Sequence, residues 1–417
     1  MSITQDAYDI INESIEAVLP DEAIRRALGD NPPPEGTRVI AIGKAAWRMA
    51  SAAYEVMGSR ITRGLIITKY GHAGRAIPGM KVMESGHPIP DVCSVAAADR
   101  ALELVRGLTA RETVLLLISG GGSALFEKPL PGVTLGDMRE ATDALLRGGA
   151  DIREINAVRK HLSAVKGGRF ALACEPARVR TIALSDVLGD APDVIASGPG
   201  YPDESTCEQA RAVLDRFGVC LSEEARAALE YETPKALDNA TVEVIGSVAH
   251  LCEAAARAAR RLGYNPLILS TTLDAQAREA GAMLAAIARE IRMRGRPIPP
   301  PCAIIAGGET VVNVRGGGKG GRNQELALAA AIGIDGLAGT VIFSVGSDGT
   351  DGPTDAAGGI VDGGFAARCR ATNRLGGSIA DHLNDNDSYP LLRDMGGLII
   401  TGPTGTNVND LSCVLVR

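Results

Sequence analysis

Val114-Leu115-Leu116-Leu117-Ile118-Ser119-Gly120-Gly121-Gly122-Ser123-Ala124-Leu125 is the stretch on which the fold reading turns. Its apolar run is far short of the roughly 20 residues needed to span a bilayer. Unbroken and rich in Leu, it reads instead as a strand covered on both faces, as in a parallel sheet. Three glycines follow at once. Placed after a buried strand and before apolar residues, they free backbone N–H groups to converge on an anion, and Ser119 and Ser123 add hydroxyl donors. A flexible turn is the plainer alternative, but it needs no glycine run wedged between two apolar segments.

The same pattern recurs along the chain. Strands are expected at 38–42, 65–68, 81–83, 180–185, 242–245, 266–270, 302–306, 310–314, 341–345, 398–401 and 412–416. Amphipathic helices are expected at 44–57, 92–107, 134–147, 151–165, 205–217, 222–231, 247–262, 274–294 and 322–334. Such alternation predicts an α/β architecture. The polar segment around Pro234 suggests a domain boundary, giving domains 1–238 and 239–417. The proline-rich spacer 295–301 reads as a connection inside the second domain.

Composition narrows the function classes. The chain has 417 residues, a net charge of −7 and a hydrophobic fraction of 45%. That excludes a disordered chain and disfavours a nucleic-acid or anionic-membrane binder, both of which need basic surface. Aromatics at 3% leave no stacking platform for bases. Glycine contributes 50 residues, about 12% of the chain against roughly 7% on average. Eight cysteines are scattered with no CxxC and no zinc spacing, as in a chain with reduced thiols. The amphipathic, acid-bearing start is unlike a signal peptide, and a soluble cytoplasmic protein is expected.

In open α/β sheets ligands bind at the carboxyl ends of strands, so the polar residues there are the candidates. Lys44 follows strand 38–42 near a helix start, where a cation opposes the helix dipole unless an anion shares the site. A solvated surface lysine is the alternative. Asp186, Asp190 and Asp193 lie on one loop after strand 180–185 and could share a divalent cation, Asp193 being the weakest candidate. Glu309 follows strand 302–306. Beyond it, Arg315, Lys319 and Arg322 sit among glycines, a loop suited to a polyanion, with Arg322 offering a planar fork. Asp348, Asp351 and Asp355 form an acidic loop without the spacing of an EF-hand. Segment 156–169 packs Arg159, Lys160, His161, Lys166 and Arg169 together. There helix-end complementarity competes with a role toward an acidic substrate, and His161 reads as structural.

No GxxxxGK[ST] and no GxSxG occur, which excludes a P-loop and disfavours an α/β-hydrolase. Gly316, Gly318 and Gly321 do satisfy G-x-G-x-x-G, with Asp348 downstream. A glycine-dense run matches many spacings by chance, however. The helix that follows opens with Arg322-Asn323-Gln324-Glu325, where close packing on a strand wants small apolar residues.

Together, IGKAAWRMA (42–50), GHPIPD (86–91), LISGGGSALFEKP (117–129), INAVRKHLSAVKGGRFA (155–171), LSDVLGDAPDVIASGPG (184–200), GGETVVNVRGGGKGGRNQELAL (307–328) and GSDGTDGPTDAAGGIVDG (346–363) resemble the bacterial-type glycerate 2-kinases. These carry a C-terminal MOFRL domain and are sometimes labelled hydroxypyruvate reductases. The resemblance covers nearly the whole chain. It implies a Rossmann-like N-terminal domain with a parallel sheet, a smaller α/β C-terminal domain, and an active site in the cleft between them. It implies phosphoryl transfer from ATP to the 2-hydroxyl of D-glycerate, with Lys44 and Arg322 catalytic. On this reading Ser119, Gly120, Gly121, Gly122, Ser123, His87, Glu309, Asp348 and Asp351 contact substrate or phosphate, and Asp186 and Asp190 hold Mg²⁺. Expected partners are the small molecules D-glycerate and ATP, with no nucleic acid and no membrane. Self-association into a homo-oligomer is left open.

Overall fold

The computed structural model describes residues 2–29, 31–372 and 377–417. They form two compact units, Pro20–Ile245 and a unit joining Met1–Leu19 to Gly246–Arg417. This differs from a cut at 238/239 in one instructive way. The first helix, Ile3–Ala17, belongs with the C-terminal half. Its buried Asp6 accepts hydrogen bonds from Tyr264 Oη and Arg417 Nη2, both at 2.6 Å, and Val18 O accepts from Thr406 Oγ1 at 2.9 Å. Contacts spanning nearly the whole chain have no local sequence signal.

In the unit Pro20–Ile245 the strands are β1 Thr37–Ile42, β2 Ile61–Lys69, β3 Met80–Ser85, β4 Thr113–Ile118, β5 Arg178–Leu184 and β6 Ala240–Gly246, in the order β3-β2-β1-β4-β5-β6. The pairs β1–β2, β2–β3, β1–β4 and β4–β5 are parallel. Side chains alternate across the pleat, so each strand feeds two cores. Ile40, Ile42, Leu116 and Ile118 pack with Ala97, Ala98 and Ala101 of helix Val92–Val105. Val39, Ala41, Leu115 and Leu117 pack on the other face with Met49, Ala50 and Ala53 of helix Ala46–Met57. Burial on both faces is why these strands carry no polar alternation. β4 is buried at every position, and the turn after it is where the sheet meets its ligands.

The second unit holds β7 Asn265–Leu273, β8 Cys302–Gly308, β9 Thr340–Gly346, β10 Gly358–Asp362, β11 Leu398–Ile399 and β12 Asp410–Val416, in the order β11-β10-β9-β12-β8-β7. This second sheet is mixed. β12 runs antiparallel to both β8 and β9, β10 is antiparallel to β9 and β11, and β7–β8 is the parallel pair. β8, β9 and β12 are buried throughout, so their apolar runs read like parallel strands whatever their direction. Helices Ala277–Arg294 and Arg322–Gly333 cover one face over Cys302, Ile304, Ile342 and Val414.

The expected strand 310–314 does not form. Val311 makes an isolated bridge to Gln276, and Val311 and Val314 are exposed. β-branched residues favour a strand only where a neighbour strand accepts them. Conversely, β10 opens on two glycines and went unread. No described helix is long and apolar enough to cross a membrane.

Candidate active site

In the unit Pro20–Ile245, the ends of β1 and β4 are stitched together. Lys44 N–H donates to Gly120 O at 3.0 Å, Ser119 N–H to Ile42 O at 2.9 Å, and Ala45 N–H to Ser119 Oγ at 3.0 Å. Gly43 has φ +123°, and a Cβ there would lie 2.2 Å from Ser119 Oγ. Ser119 is therefore a buried staple, and its hydroxyl is committed to the turn rather than offered to a ligand. The helix itself begins at Ala46, leaving Lys44 just ahead of it.

Three side chains close over the glycines. A Cβ on Gly120 would lie 2.3 Å from Asp186 Oδ2. On Gly121 (φ +86°) it would lie 3.0 Å from His87 Cδ2 and 3.3 Å from Lys44 Cε. Only glycine lets Lys44, His87 and Asp186 approach the backbone so closely. Among the described residues, the N–H groups of Gly121, Gly122 and Ser123 find no protein acceptor, and Lys44 Nζ makes no ion pair within 4 Å. Ser123 Oγ is 2.9 Å from Ser197 Oγ. Burial, reinforced by Lys44, Lys69 and His72, pushes His87 down to about 4, so it is neutral near pH 7. Burial raises the Asp186 carboxyl against the opposing pull of Lys44.

Of the other loop carboxylates, Asp193 accepts from Lys160 Nζ at 2.9 Å. Asp190 has φ +54°, and its Oδ1 is buried without a hydrogen-bond partner. An orphan carboxylate oxygen is the kind of group a hard cation satisfies.

The second unit has its own cavity of about 650 Å³, lined by Glu309, Gly321, Arg322, Asp348 and Asp351 among others. The structure thus brings together the four charged residues expected here. Arg322 is held in a fork: Nε to Asp410 Oδ2 at 2.6 Å, Nη2 to Asp410 Oδ1 at 3.0 Å, and Nη1 to Glu309 Oε1 at 3.0 Å. Burial works against its charge, but the Asp410 carboxylate more than offsets that and raises its pKa. Burial pushes the Asp410 carboxyl up as well, against the opposing hydrogen bonds and charge of Arg322. Asp410 carried no signal in the sequence reading, since it lies 88 positions from its partner.

Two expectations meet a different geometry. Asp351 is buried and caps helix Arg322–Gly333, accepting from Asn323 N at 3.1 Å, Gln324 N at 2.9 Å and Gln324 Nε2 at 3.0 Å. Burial pushes its carboxyl up to about 6 against those donors. Its first task is holding the helix that carries Arg322. The glycine loop 315–321 is not an open polyanion cradle. Asn386 Oδ1 accepts from Arg315 N at 2.7 Å and Gly316 N at 3.1 Å, Asp385 Oδ1 from Gly317 N at 3.0 Å, and Asp387 Oδ1 from Lys319 N at 2.9 Å. With no strand directly before it and the N–H groups of residues 315–319 spent on its own chain, the G-x-G-x-x-G match is no dinucleotide turn.

A family model described as a domain of unknown function, DUF4147, matches residues 6–230, and the MOFRL family model matches residues 302–410. The D-glycerate 2-kinase of Thermotoga maritima is 52% identical over 417 residues, covering 100% of this chain and 99% of the relative. The glycerate 2-kinase of Pyrococcus horikoshii is 40% identical, covering 100% and 98%. A relative from Agrobacterium vitis with a hydroxypyruvate reductase name is 41% identical over 91% of this chain. The crystal structure of the Thermotoga maritima glycerate kinase matches with a TM-score of 0.96 at 51% identity, over 99% of both chains.

Proposed function

The chain belongs to the glycerate 2-kinase family, and from that premise we propose how its own residues carry the reaction. The reaction transfers the γ-phosphoryl group of ATP to the 2-hydroxyl of D-glycerate, giving 2-phosphoglycerate and ADP. The observation that carries the residue assignment is the turn 120–123. Unclaimed N–H groups lie beside the Lys44 side chain, which makes no ion pair among the described residues, and a neutral His87. Phosphoryl transfer asks for positioning and neutralisation of charge, with little covalent work for the protein. Gly121, Gly122 and Ser123 present N–H donors to phosphoryl oxygens. Lys44 neutralises charge on the transferred group, and Arg322 is the second catalytic cation. Asp410 and Glu309 keep the Arg322 fork in one orientation, so no ordering is needed at the moment of reaction. Asp348 orients the substrate, while Asp351 acts mainly by fixing the helix that begins at Arg322.

Asp186 and Asp190 fit a Mg²⁺ carried in with ATP. One lies against Gly120 and the other has a buried oxygen with no hydrogen bond. Such an ion supplies charge neutralisation on the nucleotide phosphates.

The test pairs two assays on the same protein. D-glycerate with MgATP is followed by ADP release, and hydroxypyruvate with NADH by absorbance. ADP release without NADH oxidation is expected. NADH oxidation without ADP release would overturn the kinase reading.

A further inference from the structure

Five basic side chains crowd residues 159–169, and four of them have partners. Lys160 Nζ donates to Asp193 Oδ2 at 2.9 Å and Asp203 Oδ1 at 3.1 Å. His161 Nε2 is 2.7 Å from Glu232 Oε1. Lys166 Nζ donates to Glu127 Oε2 at 2.5 Å, and Arg169 Nη2 to Tyr231 O at 2.8 Å. Arg159 is the exception. Among the described residues its guanidinium makes no hydrogen bond and no ion pair.

Its surroundings leave it open. Arg159 is half-buried, and among the described residues Glu127 is the anion that favours its charge. Glu127 is already taken by Lys166 Nζ, by Ser163 Oγ at 2.6 Å and by Lys128 N at 2.9 Å. Two cations thus share one carboxylate, leaving one positive charge in excess. A guanidinium cannot shed its charge by losing its proton, so a half-buried one with no protein partner is available to an anion. A monoanion would complete the site.

Its position says which monoanion. Arg159 lies on helix Ile152–Leu162, one turn after Asn156 and on the same side of the helix. Asn156 Oδ1 accepts from Ser197 Oγ at 3.3 Å, and Ser197 Oγ lies 2.9 Å from Ser123 Oγ in the open glycine turn. A short chain of polar side chains therefore leads from the helix turn carrying Arg159 to the N–H groups assigned to phosphoryl oxygens.

We propose that Arg159 recognises the substrate carboxylate, pairing its fork with the two oxygens of a 2-hydroxy monocarboxylate and selecting an acid over a neutral polyol. The proposal rests on the kinase reading above. A planar fork matches a carboxylate in a bidentate pair, and one excess charge matches one negative charge.

The test uses the full-length protein and the variants Arg159→Gln and Arg159→Lys. Arg159→Gln is expected to raise KM for D-glycerate about 10- to 100-fold, the size of a charge-assisted hydrogen bond, with KM for ATP unchanged. Its preference for D-glycerate over the neutral D-glyceramide should collapse, and Arg159→Lys should recover part of it. The ligand-free melting temperature of Arg159→Gln should stay level or rise, because an unpaired charge is gone. A structural arginine would lower it. A rise in KM for ATP in place of that for D-glycerate would assign the site to nucleotide phosphate and overturn the proposal, as would unchanged constants or a lowered melting temperature. If the wild-type protein forms no phosphoglycerate, the kinase reading fails on its own. Calorimetric titration of D-glycerate into wild type and Arg159→Gln then decides the carboxylate site: binding lost in the variant supports it, and equal or absent binding in both overturns it.

Discussion

Two glycine-rich runs in this chain look alike from sequence, each placed after an expected strand. In the run 119–123 the N–H groups of Gly121, Gly122 and Ser123 find no acceptor among the described residues, and the side chains of Lys44, His87 and Asp186 close over it. In the run 315–321 the N–H groups of residues 315–319 are taken by Asp385, Asn386 and Asp387, and a Cβ on Gly318 would lie 2.4 Å from Asp387 Cβ. The first turn is open to a ligand, and the second is locked onto its own chain. Glycine density reports that something approaches the backbone closely. Whether that is a ligand or the protein itself is decided by residues about 70 positions away in the second case, and a local pattern cannot contain them.

The same contrast holds for the two cations proposed as catalytic. Lys44 has no ion pair within 4 Å among the described residues, while Arg322 is gripped by Asp410 and Glu309. Removing either should have the largest effect on the reaction. Lys44→Ala and Arg322→Ala should each lower kcat about 1,000-fold, the scale of losing a preorganised charge at the transition state. Steady-state ADP release measures it, and near-full turnover in both variants would break the assignment.

Matched glycine substitutions sharpen the open-versus-locked distinction. Gly121→Ala should lower kcat about 10- to 100-fold by displacing Lys44 and His87, at a stability cost of about 1 kcal/mol for its positive φ. Gly318→Ala should do the reverse, costing about 2 kcal/mol of stability by overpacking with a smaller change in kcat. Urea midpoints beside turnover numbers separate the two, and equal phenotypes would erase the distinction.

Asn386→Ala attacks the lock from its other side. It removes the acceptor for Arg315 N and Gly316 N and the donor to Glu325 Oε2, and should cost about 2 kcal/mol in urea unfolding.

The smallest effect is a pH dependence in the open turn. His87 titrates near 4 in the folded protein against 6.5 unperturbed, so the unfolded chain binds the extra proton in that window. Stability contributed by neutral His87 is present above about pH 6.5 and is lost as the pH falls toward 4. His87→Gln should flatten that part of the urea-midpoint profile, and an unchanged slope would refute it.

The parallel sheet of the unit Pro20–Ile245 was legible because its fully buried strands, its helices and its turn glycines all point one way. β4 with its SGGGS turn is the clearest instance. Lys44 and Asp186 were legible as residues at strand ends, whereas His87 came only through the family resemblance. The direction of β12 was not, since an apolar run buried on both faces looks the same in either orientation. Nor was the membership of Ile3–Ala17 in the other unit, which rests on Asp6 meeting Tyr264 and Arg417. Among the basic residues 159–169, sequence showed a cluster, and only the partners single out Arg159.

The most direct test of the account is a ³¹P NMR time course of the wild-type protein with D-glycerate and MgATP. The account predicts a phosphomonoester on the 2-position growing in step with ADP, and none in Lys44→Ala over the same period. A phosphoester on the 3-position, or ATP loss to inorganic phosphate with no organic phosphate formed, would contradict it.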